Sequence, residues 1–189
     1  MNTIKIPIIV LFMTFFIQST SLAVDGYKEF KWNMTTDVIE KLVKIKSFCN
    51  LKDSGIDSQG IRTLYCDDFK FGGHPRHGFF LFIDNRLLRI GITVRGEEIE
   101  PLIMIFKEQF GKPSSGEVPK KGQPQVGTIG WDKDTVLLKI ARVFKEEQQA
   151  KKMTKYSNRE IQAVLIYTSS EFESILQKRR KDMLKKSVE

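Results

Sequence analysis

The chain's two histidines, His74 and His77, sit three residues apart in Gly72-Gly73-His74-Pro75-Arg76-His77-Gly78, shortly after Asp67 and Asp68. Imidazole nitrogens and carboxylate oxygens are ligands for a divalent cation, so this segment gathers metal-binding chemistry. Pro75 stiffens the spacing, and the helical register of two-histidine metal motifs is missing. The competing reading is a polar turn feeding the next strand, and no metal or other cofactor is assigned. Hydrolytic chemistry on the same loop is an alternative that requires a concave pocket at His74 or His77. The acids group as Asp67-Asp68, Glu97-Glu98-Glu100 and Asp132/Asp134. Neighbours on a regular strand point to opposite faces, which denies Asp67 and Asp68 a cooperating pair. Glu97 and Glu98 more simply complement a helix N-terminus. The sequence holds neither a Gly-x-Ser-x-Gly elbow nor a phosphate loop ending in Gly-Lys-Ser/Thr, so no catalytic residue is assigned.

Cys49 and Cys66 are the only cysteines. How they are read depends on compartment, and the N-terminus has the parts of a secretory leader: Lys5, an apolar run from Ile6 to Ile17, and Ser21-Leu22-Ala23. The small-x-small rule places cleavage after Ala23, so that residues 1–23 are removed and Val24 begins the mature chain. The alternative is an uncleaved anchor, for which the apolar run is short of the ~20 residues a helix needs to span a bilayer. Export to a periplasmic or extracellular space favours a Cys49–Cys66 disulfide, which would contribute ~3 kcal/mol in the chain-entropy model. The alternative is two separate buried thiols. No cysteine lies near residue 23, which argues against a lipid-anchored form.

Losing the leader removes one lysine and no acid, taking the net charge from +8 to +7. The excess is concentrated at the end of the chain, in Lys178, Arg179, Arg180, Lys181, Lys185 and Lys186. With Leu176, Met183 and Leu184 these form a basic helix that could lie on anionic headgroups or meet an acidic partner. The bland reading is a solvated helix end whose cations complement the dipole. Nucleic acid is not expected, because export removes the usual targets and no aromatics interleave with the basic residues.

The elements that must position these groups centre on a hairpin from Gly78 to Arg95. Leu88, Ile90, Ile92 and Val94 alternate with Arg89, Gly91, Thr93 and Arg95, the period-2 pattern of a strand with one buried face. Asp84-Asn85-Arg86 supplies its turn. The pattern predicts that the aliphatic set faces helices and that Arg89, Thr93 and Arg95 line an open sheet face, the first place to look for a partner. A helix capped by Thr35 carries the stripe Val38, Leu42, Ile45 and Phe48. Lys52 to Gly60 reads as a loop, and Ile61 to Phe71 as a strand with a register change at Asp67-Asp68. Glu97 to Gly111 is a second amphipathic helix through Ile99, Leu102, Ile103, Phe106 and Phe110, stopped by Gly111 and Pro113.

Beyond a Pro- and Lys-rich connection over residues 112–127, strands return at Thr128 to Trp131, Val136 to Val143 and Glu160 to Tyr167. A charged stretch, Phe144 to Asn158, precedes the last of them. Ser170 and Glu173 form a capping box for the last helix. The result is one α+β domain over residues 24–189, in the order α-βββ-α-βββ-α, with an antiparallel sheet and helices packed on one face. Residues 24–111 and 128–189 are possible related halves.

Phe30-Lys31-Trp32-Asn33-Met34-Thr35 followed by Asp37-Val38 resembles the opening of small exported bacterial proteins, including the SmpA/OmlA-type outer-membrane assembly lipoproteins and the tandem units of β-lactamase inhibitor proteins. Phe110-Gly111-Lys112-Pro113 is similar to the Tyr-Gly-Lys-Pro element that ends their second helix, and Trp131 fits their tryptophan before a hairpin. Asn33 stands where glycine is usual, and asparagine is the next residue to tolerate a left-handed backbone. The resemblance implies an exported, non-enzymatic interaction domain whose partner is an envelope or extracellular protein, and it brings no catalytic residue.

Overall fold

The computed structural model describes residues 24–118, 126–144 and 159–186. The leader and nearly all of the charged stretch 144–158 lie outside them. A small hairpin, β1 (Gly26–Tyr27) and β2 (Phe30–Lys31), leads to helix α1 (Thr36–Lys46). Four strands follow, β3 (Lys52–Ile56), β4 (Ile61–Phe71), β5 (His74–Ile83) and β6 (Arg86–Arg95), then α2 (Gly96–Phe110). The chain closes with β7 (Gly127–Trp131), β8 (Val136–Phe144), β9 (Arg159–Thr168) and α3 (Phe172–Lys186). Seven strands form one antiparallel sheet in the order β3-β4-β5-β6-β9-β8-β7. The α+β class and helix order are as the sequence predicts.

The strand order mirrors itself about the β6–β9 pair: β4-β5-β6 on one side meets β9-β8-β7 on the other. A helix precedes each triplet, α1 the first and α2 the second. Both pack on the same face. Ile39 and Val43 of α1 meet Leu64, Phe80, Phe82, Leu87, Ile90 and Ile92, around a cluster of Phe30, Phe48 and Phe69. On α2, Ile99, Leu102, Ile103 and Phe106 meet Val94, Leu138, Ile140, Ala163 and Leu165, with Trp131 5.2 Å from the Phe106 ring.

Helix α3 lies on the opposite face, packing Phe172 and Leu176 on Ile61, Ile83 and Leu88. The expectation that all helices share one face therefore holds for α1 and α2 and is corrected for α3. A β-bulge supplies part of its seat. Leu87 pairs with Phe82 and Arg89 with Leu81, leaving Leu88 as an extra residue. The inserted residue shifts the alternation. Leu87 therefore joins Ile90, Ile92 and Val94 on the face of α1 and α2, and Leu88 turns to α3.

Three further expectations change. Lys52 to Gly60 is not all loop: Lys52–Ile56 forms the edge strand β3, every residue of it exposed, so no buried alternation marks it. In α1 the buried stripe is Thr36, Ile39 and Val43, while Val38 and Ile45 face solvent. The turn before β5 shrinks to Gly72-Gly73, and His74 already belongs to the strand. Other readings hold. The bulge in β4 falls between Cys66 and Phe69, at Asp67-Asp68. Asn33 has φ of 66° and the hairpin residues Asp84 and Asn85 have φ of 51° and 57°, left-handed values that aspartate and asparagine tolerate.

Candidate functional site

Register fixes which side chains share the second face. One row crosses it as Tyr65, Phe79, Gly91, Ile166 and Leu137 on β4, β5, β6, β9 and β8. The next row toward the open end holds Thr93, Val164 and Lys139, and beyond it lie Arg95 and Gln162. In the opposite direction the row of Thr63, Leu81, Arg89 and Thr168 runs toward α3. Tyr65, Phe79, Leu137, Val164 and Gln162 are half-buried, whereas Lys139 and Arg95 are exposed. The Phe79 ring lies against the backbone of Gly91, so closely that a Cβ at position 91 would overlap it. Glycine is needed there because an aromatic ring occupies the space of its side chain.

The three residues expected to line the open face have different fates. Arg89 is withdrawn from it: its guanidinium sits 3.7 Å from the centre of the Phe172 ring and 2.7 Å from Glu173, and its Nε donates to Thr168. Burial pushes the Arg89 pKa down, against the Glu173 carboxylate that raises it. Its role is to seat α3. Glu173 is thus taken by Arg89, and the expected Ser170–Glu173 box gives way to Ser169, whose hydroxyl accepts from the Glu171 N–H. Thr93 Oγ1 accepts from the His77 N–H and donates to the His77 carbonyl, both at 3.1 Å, continuing the β5–β6 ladder with a side chain. Only Arg95, with 58% of its side chain exposed, projects outward.

The histidines are not brought together. Alternation along β5 puts His74 on the side of buried Arg76 and His77 on the open face, so they do not form a shared ligand pair. His77 Nδ1 lies 2.9 Å from Asp67, which also receives Lys52 at 2.7 Å, and Tyr65 lies alongside the imidazole. The Lys52 and His77 contacts hold the Asp67 pKa below its ordinary value. Asp68, across the bulge, accepts from the backbone and side-chain nitrogens of Asn50. It is also near the sulfurs of Cys49 and Cys66, a proximity without metal capacity because those sulfurs are joined in a disulfide with a Cα–Cα distance of 6.1 Å. The bond ties the segment after α1 to β4. Cys49 also lines a groove of about 690 Å³ together with Val43, Phe48, Leu51 and Leu64.

The basic helix is similarly divided. Arg179 is half-buried and donates to the carbonyls of Gln59 and Gly60 and to Asp84, while Arg180 reaches the Gln59 side chain. Lys178, Lys181 and Lys185 are exposed, and Lys186 ends the helix. Sequence reasoning missed Tyr65 and Phe79 as surface groups. The run Phe79 to Ile83 is apolar on both faces and reads as core; the available signal was Gly91, a glycine inside a strand.

Over residues 27–187 the chain matches a family described as uncharacterised protein. It belongs to that family. Neither a curated protein nor a solved structure matches it. The family match spans every element from β2 to α3, so the mirrored sheet and the open face are both within it.

Proposed function

We propose that this chain is an exported interaction module that binds a partner protein with the open part of its second sheet face. The observation that carries the reading is the patch of Tyr65, Phe79, Leu137 and Val164, half-buried across two neighbouring rows of the sheet and bordered by Arg95 and Lys139. Aromatic and arginine side chains are enriched where proteins meet, and aliphatic neighbours supply the dry centre of such a contact. The bordering cations favour a partner with an acidic rim. Both sheet edges are poor docking strands. β3 is short, charged and interrupted between Asp53 and Ile56, and β7 is bridged at Gly130 by Ser115.

Export is supported by the leader-like N-terminus and by the disulfide, and among the described residues no helix is long and apolar enough to cross a membrane. The likeness of the opening motif to the SmpA/OmlA-type proteins and β-lactamase inhibitor proteins supports the same reading, as does the mirrored pair of helix-plus-three-strand units, which we take as a duplication. The test is co-purification from envelope extracts with wild type and with a Val164→Asp, Arg95→Glu, Lys139→Glu triple variant that leaves the buried faces untouched. A specific partner retained by wild type and lost by the variant is the expected result. Retention by both, or repeated failure of wild type to recover one, overturns the proposal.

A second reading rests on the end of α3, where Met183 and Leu184 are 38% and 66% exposed between lysines. This pattern suits a peripheral contact with anionic lipid. Salt-sensitive binding to phosphatidylserine-containing vesicles, lost on removing residues 178–189, is its expected result; no binding at low salt ends it.

A further inference from the structure

Val24, the first described residue, is built into the fold. Its side chain is half-buried against the cluster formed by α2 and the β7–β9 strands. Its carbonyl accepts from the Trp32 indole N–H at 2.7 Å, and its backbone nitrogen donates to Asp132 Oδ2 at 3.1 Å, across a separation of 108 residues. Asp132 sits in the turn joining β7 and β8 and also accepts from Thr135 Oγ1 at 2.8 Å. The nearby Asp134 is engaged with Ser114 and Ser115. The sequence independently places leader cleavage between Ala23 and Val24.

We infer that leader removal completes the fold: hydrolysis of the Ala23–Val24 bond places a new α-ammonium group against the Asp132 carboxylate. A leader peptidase adds one water across the amide, Ala23 departs with the carboxylate, and Val24 keeps the amine, which is protonated at neutral pH. The precursor's hydrogen bond from a neutral amide to the carboxylate then becomes an ion pair in which both partners are charged, the stronger contact. The partner is already in place, so processing requires no rearrangement. The product is a clamp between the N-terminal strand pair and the β7–β8 turn, made from the atom that proteolysis exposes. The inference rests on the export part of the reading above.

Two measurements separate that export reading from the clamp. Mass and N-terminal sequencing of protein from an exporting bacterial host that makes the full chain should give Val24 in the extracytoplasmic fraction. A leader retained inside the cell overturns export, and an exported protein with a different first residue overturns the inference. The clamp is read on the processed protein by comparison with a chain carrying Ala23 as one extra residue. The Val24 form should melt about 2–4 °C higher, the shift of a ~1 kcal/mol contact in a chain of this size. Its α-amino group should titrate above the ordinary range by NMR, since among the described residues it faces the Asp132 carboxylate beside the neutral Trp32 and Thr135 side chains. Asp132→Asn keeps an acceptor and a residue tolerant of the φ of 47° found there. It should abolish both differences. Equal melting of the two chains, or differences that persist in Asp132→Asn, overturns the clamp.

Discussion

Asn85, at the tip of the central hairpin, caps helix α1: its Oδ1 accepts from both the backbone N–H of Thr36 at 3.1 Å and the Thr36 hydroxyl at 2.8 Å. The capping residue therefore lies 49 positions along the chain from the helix it serves. Thr35 occupies the N-cap position without a side-chain bond. Asn85→Gly retains the left-handed turn and loses the cap, and should cost about 1 kcal/mol. Asn85→Ala adds the strain of alanine at positive φ, for about 2 kcal/mol in all. Chemical denaturation of both variants separates the two contributions; equal midpoints would leave the cap, and not the turn, as the whole effect.

Arg89 binds α3 to the sheet by stacking on Phe172 and pairing with Glu173. Lysine keeps the charge but loses the flat stacking surface. Arg89→Lys should therefore destabilise by about 1–2 kcal/mol and lower hydrogen-exchange protection in α3 before other elements. Uniform loss of protection across the sheet would contradict this local role.

Arg76 and Glu98 form an ion pair at 2.5 Å, with the arginine side chain 5% exposed. Burial works to raise the Glu98 pKa, but the Arg76 guanidinium and the Arg95 N–H outweigh it and hold the carboxyl below its ordinary value. A depressed carboxyl stabilises the fold above its unfolded pKa, and that contribution is lost as pH falls through the folded value. Stability should therefore decline on acidification below about pH 4 with a slope that Glu98→Gln removes. The same variant should cost ~3 kcal/mol at neutral pH by leaving Arg76 unpaired. Tyr27 behaves oppositely: burial, aided by Glu29, pushes it up to about 12, so stability should fall as pH rises above about 10. Urea midpoints across the pH range check both limbs.

Reduction of Cys49–Cys66 releases a loop of 17-residue separation. The chain-entropy model assigns such a closure ~3 kcal/mol, so the reduced protein or a Cys49→Ser, Cys66→Ser double variant should melt several degrees lower. Unchanged melting would show that the bond contributes no net constraint.

Most elements were legible because their apolar periods are strong, as in α2, where all five expected residues pack inward or partly so. The failures have local causes. In β6, Leu88 and Ile90 are two apart and both buried, so strict alternation puts them on one face; only an inserted residue, which leaves no mark in hydropathy, separates them. In α1, Val38-Ile39 and Leu42-Val43 offer two overlapping stripes, and the tertiary partner decides between them. β3 has no buried residue to announce it. The candidate face was legible as a sheet surface but not in its membership. A strand pattern identified Arg89 as facing away from α1 and α2, but could not show that another helix would cover it. Phe79 looked like core because its exposure depends on that helix stopping short.

The first and last described segments are secured on each other's territory. Val24, from the first half, is held by the β7–β8 turn, and Arg179, from the last helix, is held by the β3–β4 loop and the tip of the β5–β6 hairpin. A chain that emerges N-terminus first cannot fasten its beginning until the strand pair around Asp132 has followed. The first half provides the seat for the final helix long before that helix exists. A chain truncated before α3 would therefore leave an apolar seat of Ile61, Ile83 and Leu88 open to whatever protein is nearest.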